Sequence, residues 1–176
     1  MGHGVGAGTL ARVAVRIRRT AFQAQLNERG HIMLRNLIIG LPCMLLCLTL
    51  QAAVTFWSIR FYMRQSRRIK RGGLLVQIRP LMLVLIAMTL ANFVQIVTWG
   101  ILFIFLGEFS AVYEAIYHSA VNFTSLGYGD VVMSARWKLM GPLEAVNGIL
   151  MLGMTSAGLV AILQHLIKVR FEAGVD

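Results

Sequence analysis

Three stretches of this chain run without a charged side chain for longer than a bilayer core is thick, and they leave few architectures open. The first lies between Arg35 and Arg60, the second between Arg79 and Glu108, and the third between Glu144 and Lys168. Crossing the hydrocarbon core takes about 20 apolar residues as an α-helix. The expected fold is therefore an all-α membrane protein with three spanning helices, at 36–59, 80–107 and 142–168. A basic tail (1–35), a basic loop (60–79), a mixed segment (108–130), a short outer loop (131–141) and a tail (169–176) make up the rest.

Composition agrees. The chain has 57% apolar residues, 14% charged residues and a net charge of +10, with a mean hydropathy of +0.71. Apolar spans with arginine-rich flanks reconcile these values. Because the basic residues bracket apolar runs and form no single stripe on a soluble fold, no nucleic-acid partner is expected. Arg60, Arg64, Arg67, Arg68, Lys70, Arg71 and Arg79 fall in one segment with no acidic residue. That segment is expected on the cytoplasmic side, with Arg64, Arg67, Arg68, Lys70 and Arg71 able to meet anionic lipid headgroups.

This topology places the N-terminus outside, yet residues 1–35 carry Arg12, Arg16, Arg18, Arg19, Arg29 and Arg35. Either the native start is Met33, or the first apolar run does not cross; the first is preferred here. Residues 10–27 also fit an amphipathic surface helix, with Leu10, Val13, Ile17 and Ala21 opposite Arg12, Arg16 and Arg19. Pro80 and Pro142 suit the starts of the second and third spans, and Glu144 suits a first turn. Asn92 and Gln95 are polar groups inside a span and should face protein.

Little points to other chemistry. Cys43 and Cys47 share a helix face inside an apolar run and read as packing residues. His3, His31, His118 and His165 are scattered, without metal-ligand spacing. The glycine-rich opening follows no strand and is not a dinucleotide loop. No nucleophile, base and orienting group stand together, so no enzyme activity and no cofactor are expected.

The informative segment is 108–130. It is too short to cross and return, but Glu108–Ser125 can make about four turns of helix. It ends in Thr124-Ser125-Leu126-Gly127-Tyr128-Gly129-Asp130. Alternating glycines admit backbone angles that side-chain-bearing residues avoid, so this loop can hold an unusual conformation. Glu108 and Glu114 read as solvated rim groups.

That stretch and the helix before it resemble the signature of potassium channels, Thr-x-x-Gly-Tyr-Gly-Asp after a pore helix. Gly153-Met154-Thr155-Ser156-Ala157-Gly158-Leu159-Val160 is similar to the inner helix of small bacterial members, and the resemblance covers about residues 80–170. It implies one extra spanning helix followed by a helix–pore-loop–helix unit, assembled with three further copies in a bacterial inner membrane. It implies potassium held by the carbonyls of Leu126, Gly127, Tyr128 and Gly129 and the hydroxyl of Ser125, with Asp130 at the outer mouth. Thr124, Tyr117 and His118 would support the filter, the latter two by donating to Asp130 and Tyr128. Gly153 would be the inner-helix hinge and Thr155 a cavity-lining residue, for which helix packing is an equal alternative. The family usually has Thr-Val where Ser125-Leu126 stand, and two tryptophans where Tyr117-His118 stand. A weakly selective cation channel and a non-conducting accessory subunit remain as alternatives with the same fold.

Overall fold

The computed structural model describes residues 5–69 and 74–172. It is all-helical: α1 (Val5–Ile69), α2 (Leu74–Phe105), α3 (Val112–Phe123) and α4 (Met140–Glu172). Three segments are long and apolar enough to cross a membrane, Arg18–Gln65, Ile78–Phe105 and Met140–Lys168.

The helices overrun the expected boundaries. The segment 60–79 is expected as a loop, but α1 continues to Ile69 and α2 begins at Leu74. Arginine, lysine and glutamine are good helix formers, and the sequence offers no break before Gly72-Gly73. Lys70 and Arg71 lie outside the described residues, as do the side chains of Arg67 and Arg68. Likewise Arg35 marks no helix end, because α1 runs through it. Pro42 and Pro80 sit inside α1 and α2, each removing one backbone donor from its ladder. Pro142 falls in the first turn of α4, where the missing donor costs nothing.

The chain divides into two compact units, Met1–Ile39 and Gly40–Asp176. In the first, the described side chains before Asn36 are exposed except Arg35, and the Asn36 amide donates back to the Ile32 carbonyl at 2.7 Å.

In the second unit, two apolar clusters hold α1, α2 and α4 together. Tyr62, Val84, Met88 and Ile162 form one. Ile96, Phe123 and Met151 form the other, which brings in the end of α3. Lipid is as apolar as these side chains, so fit and hydrogen bonds have to drive such packing. Both are visible. Cys47, Gln51, Ser58 and Tyr62 are buried on this part of α1, and their spacing puts them on one helix face. Gln51 donates to Thr155 Oγ1 at 2.9 Å and accepts from Gln95 at 2.9 Å. Asn92 donates to the same Thr155 oxygen at 3.2 Å. Asn92 and Gln95 thus face protein, as expected. The opposite faces expose Leu45, Phe56, Leu90, Phe93 and Ile149, an apolar surface far beyond what a water-soluble monomer carries.

Candidate functional site

Two helix ends set up the site. At the end of α2, Gly107 has φ 74°. Its N–H bonds the Ile104 carbonyl at 2.9 Å and that of Glu108 the Phe103 carbonyl at 3.1 Å. This is the Schellman ending, which uses a left-handed residue to satisfy the last carbonyls. The end of α3 repeats it. Ser125 N–H bonds the Asn122 carbonyl at 2.8 Å and Leu126 N–H the Val121 carbonyl at 3.0 Å. Here the left-handed residue is Ser125, with φ 59°. A serine pays a steric cost there that glycine does not.

α3 itself is amphipathic. Ala115, His118, Ser119, Val121 and Phe123 are buried, the spacing of one helix face. Glu114 falls in its first turn, where a carboxylate complements the helix dipole.

The loop that follows is bare. Residues 124–130 are all exposed, with Leu126 at 57% and Tyr128 at 67%. Positive φ recurs at Ser125 (59°), Gly127 (57°) and Gly129 (75°), and Leu126 and Tyr128 between them lack it. Thr124 turns its hydroxyl back onto the Ala120 carbonyl at 2.7 Å.

The far end of the loop is pinned from α3. Tyr117 donates its hydroxyl to Asp130 Oδ2 at 2.6 Å, and Asp130 Oδ1 takes the Val131 N–H at 3.0 Å. The bond lowers the Asp130 carboxyl below its usual range and raises the Tyr117 phenol to about 12. His118 does not reach Tyr128. Its Nδ1 bonds the Val131 carbonyl at 2.9 Å, and its Nε2 meets the Asn122 amide nitrogen at 2.8 Å. With Nδ1 facing a carbonyl and Nε2 facing an amide donor, the ring is neutral with its proton on Nδ1. Burial against Phe103 and Phe109 pushes its pKa down. Tyr128 is left without a hydrogen bond among the described residues. A cavity of about 250 Å³ behind the loop is lined by His118, Asn122, Gly127, Gly129, Val132 and Pro142 among others.

Glu108 is more than a rim group. Its carboxylate accepts the Ser134 N–H at 2.7 Å and the Ser134 hydroxyl at 2.6 Å, tying the loop before α4 to the end of α2. Glu144 is not in the first turn of α4, which starts at Met140. It is fully buried and bonds Ser119 of α3. Its sequence position gave no sign of this, because the partner lies on a different helix.

On α4 the expected residues separate. Gly153 is open, with nothing within 4 Å of where a β-carbon would be. Thr155 is buried and turned toward α1 and α2, so it does not stand on the open side of α4 where a cavity-lining role would need it. The neighbouring Ser156 is exposed.

Three helices long and apolar enough to cross a membrane, with a short amphipathic helix ending in an exposed, pinned loop, point to a multi-pass integral membrane protein. Residues 89–165 match the family model described as an ion channel. That match takes in the second half of α2, α3, the loop and most of α4, and it supports an ion channel function. No curated protein and no solved structure matches the chain.

Proposed function

We propose that this chain is a potassium-selective channel in which four copies surround one pore. The alternation of positive φ at Ser125, Gly127 and Gly129, in a loop fixed at both ends and open between, carries the reading. Alternating handedness lets successive peptide units turn the same way, which suits a column of carbonyl oxygens that replaces a hydration shell. Leu126, Gly127, Tyr128 and Gly129 would supply those carbonyls and Ser125 a hydroxyl, with Asp130 at the outer mouth. A single loop cannot encircle an ion. The exposed Leu126 and Tyr128 side chains are then surfaces for neighbouring copies, and closed symmetry supplies four loops. Gly153, with nothing within 4 Å of where a β-carbon would stand, would act as a hinge in α4. Arg64 and the basic residues after it would meet anionic headgroups on the inner face of a bacterial plasma membrane.

The test is cation flux in liposomes containing only this chain, with potassium against sodium. The expected outcome is potassium flux that Gly127→Ser abolishes. Absence of flux in the reconstituted wild type, with the tetramer present, would refute it.

One observation favours a weakly selective cation pore as a second reading. His118 braces Val131 and leaves Tyr128 unbraced among the described residues. A reversal potential near zero in opposing potassium and sodium gradients would decide for it.

A further inference from the structure

Ser119, midway along α3, makes two close contacts with one hydroxyl. Its Oγ lies 2.7 Å from the Ile96 carbonyl of α2, and it also bonds Glu144 Oε1 of α4. Both residues are fully buried. A serine hydroxyl carries one proton, and a backbone carbonyl can only accept. If that proton goes to an ionised Glu144, two oxygens with no proton between them face each other at Ile96. If it goes to Ile96, an ionised Glu144 faces a lone pair. Both contacts are hydrogen bonds in one arrangement: the Glu144 acid donates to Ser119, and Ser119 donates to Ile96.

The surroundings agree. The groups around this carboxyl come from two neighbouring helices: Ser119 and Asn122 of α3, and Cys43 and Cys47 of α1. None is a cation. His118, the nearest basic side chain along α3, already uses its Nε2 to accept from Asn122 and is neutral. The second oxygen, Oε2, has no hydrogen bond among the described residues. A buried, unpaired carboxylate is far costlier than a buried neutral acid.

We propose that Glu144 is a proton-binding site: it holds a proton at neutral pH and through it ties α3 to both α2 and α4. Losing that proton to water removes the donor. Ser119 must then turn its own proton to the carboxylate and release Ile96, so ionisation removes this hydrogen bond between α3 and α2. Glu144 is a positioning residue, acting on the loop through the helix that carries it.

Infrared spectroscopy of the reconstituted protein reads the proton directly and does not require the chain to conduct. The expected result is a carboxylic-acid carbonyl band at neutral pH that shifts in D₂O and is lost in Glu144→Gln. A band that survives in Glu144→Gln, or no such band in the wild type, overturns the proposal. Should Glu144→Gln fail to fold, Ser119→Ala serves. The band must persist but move to higher frequency, because the acid has lost its acceptor, and an unmoved band overturns the proposal. In flux measurements, alkaline pH should reduce transport several-fold in the wild type but not in Glu144→Gln, whose amide can donate to Ser119 without titrating. Identical alkaline profiles in the two proteins overturn it as well.

Discussion

The carbonyl of Phe123, at the end of α3, packs directly against the α-carbon of Gly148 in α4. A β-carbon built at Gly148 would stand 1.9 Å from that oxygen, closer than any non-bonded contact allows. The obstacle is backbone on both sides, so no side-chain rotation relieves it. Gly148→Ala must push α3 away from α4 and carry the loop with it. Overpacking a core costs about 1–3 kcal/mol where side chains can adjust, and more is expected here. The variant should lose thermal stability in detergent, whereas Gly153→Ala, with nothing within 4 Å, should not. Equal melting temperatures for Gly148→Ala and the wild type would refute the close approach.

The pair Tyr117 and Asp130 predicts a wide pH window. Asp130 has a lowered carboxyl pKa because Tyr117 donates to it. Its contribution is present above the ordinary carboxylate pKa of about 3.9 and is lost as pH falls through the lower folded value. On the alkaline side, Tyr117 should form phenolate near pH 12. Spectroscopic titration of the phenols, compared with Tyr117→Phe, should show the missing tyrosine to be one of late titration. A difference spectrum titrating at the ordinary value of about 10 would refute the bond.

His118 should make the protein sensitive to mild acid. Its folded pKa lies below the unfolded value of about 6.5. The unfolded chain then binds the extra proton, so stability is full above that value and falls as pH drops through it. Protonating Nε2 would also set an N–H against the Asn122 amide. The melting temperature of the wild type should therefore drop between neutral pH and pH ~5 by more than that of His118→Asn. Parallel curves for the two would exclude His118 as the cause.

The network of Gln51, Asn92, Gln95 and Thr155 should behave as a unit. Hydrogen bonds between membrane helices average about 0.6 kcal/mol and reach roughly 1.7 kcal/mol. A double-mutant cycle with Gln51→Leu and Thr155→Val should give a coupling in that range, read from unfolding in mixed micelles. Zero coupling would mean that α1 packs on α4 by shape alone.

Much of this was legible in the sequence because membrane spans are written in long uncharged runs. The loop was legible because Gly127 and Gly129 are spaced for it. Two kinds of feature were not. Helix ends in the basic flank are hidden, because charge marks the membrane boundary, whereas arginine and lysine continue a helix without strain. Partners across helices are hidden as well, because 104 residues separate Gln51 from Thr155 and 25 separate Ser119 from Glu144. No spacing along one helix encodes such pairs. Thr155 shows the consequence: its place in α4 suited two faces, and only the packing of α1 decided between them.

Ser125 carries the sharpest prediction about the loop, because it holds a left-handed conformation that has been left to a residue with a β-carbon. That conformation costs such residues roughly 1–2 kcal/mol. Ser125→Gly should remove the cost and raise the stability of the protein by about 1 kcal/mol, while deleting a hydroxyl from the start of the loop. Ser125→Val should do the reverse, since a β-branched side chain is a genuine outlier at positive φ. The two variants therefore separate conformation from chemistry. If the hydroxyl serves as an ion ligand, Ser125→Gly will be more stable than the wild type yet conduct with altered ion preference. Thermal melts and reversal potentials on the same preparations measure both. A Ser125→Gly protein less stable than the wild type would show that the hydroxyl, and not the backbone, dominates at this position.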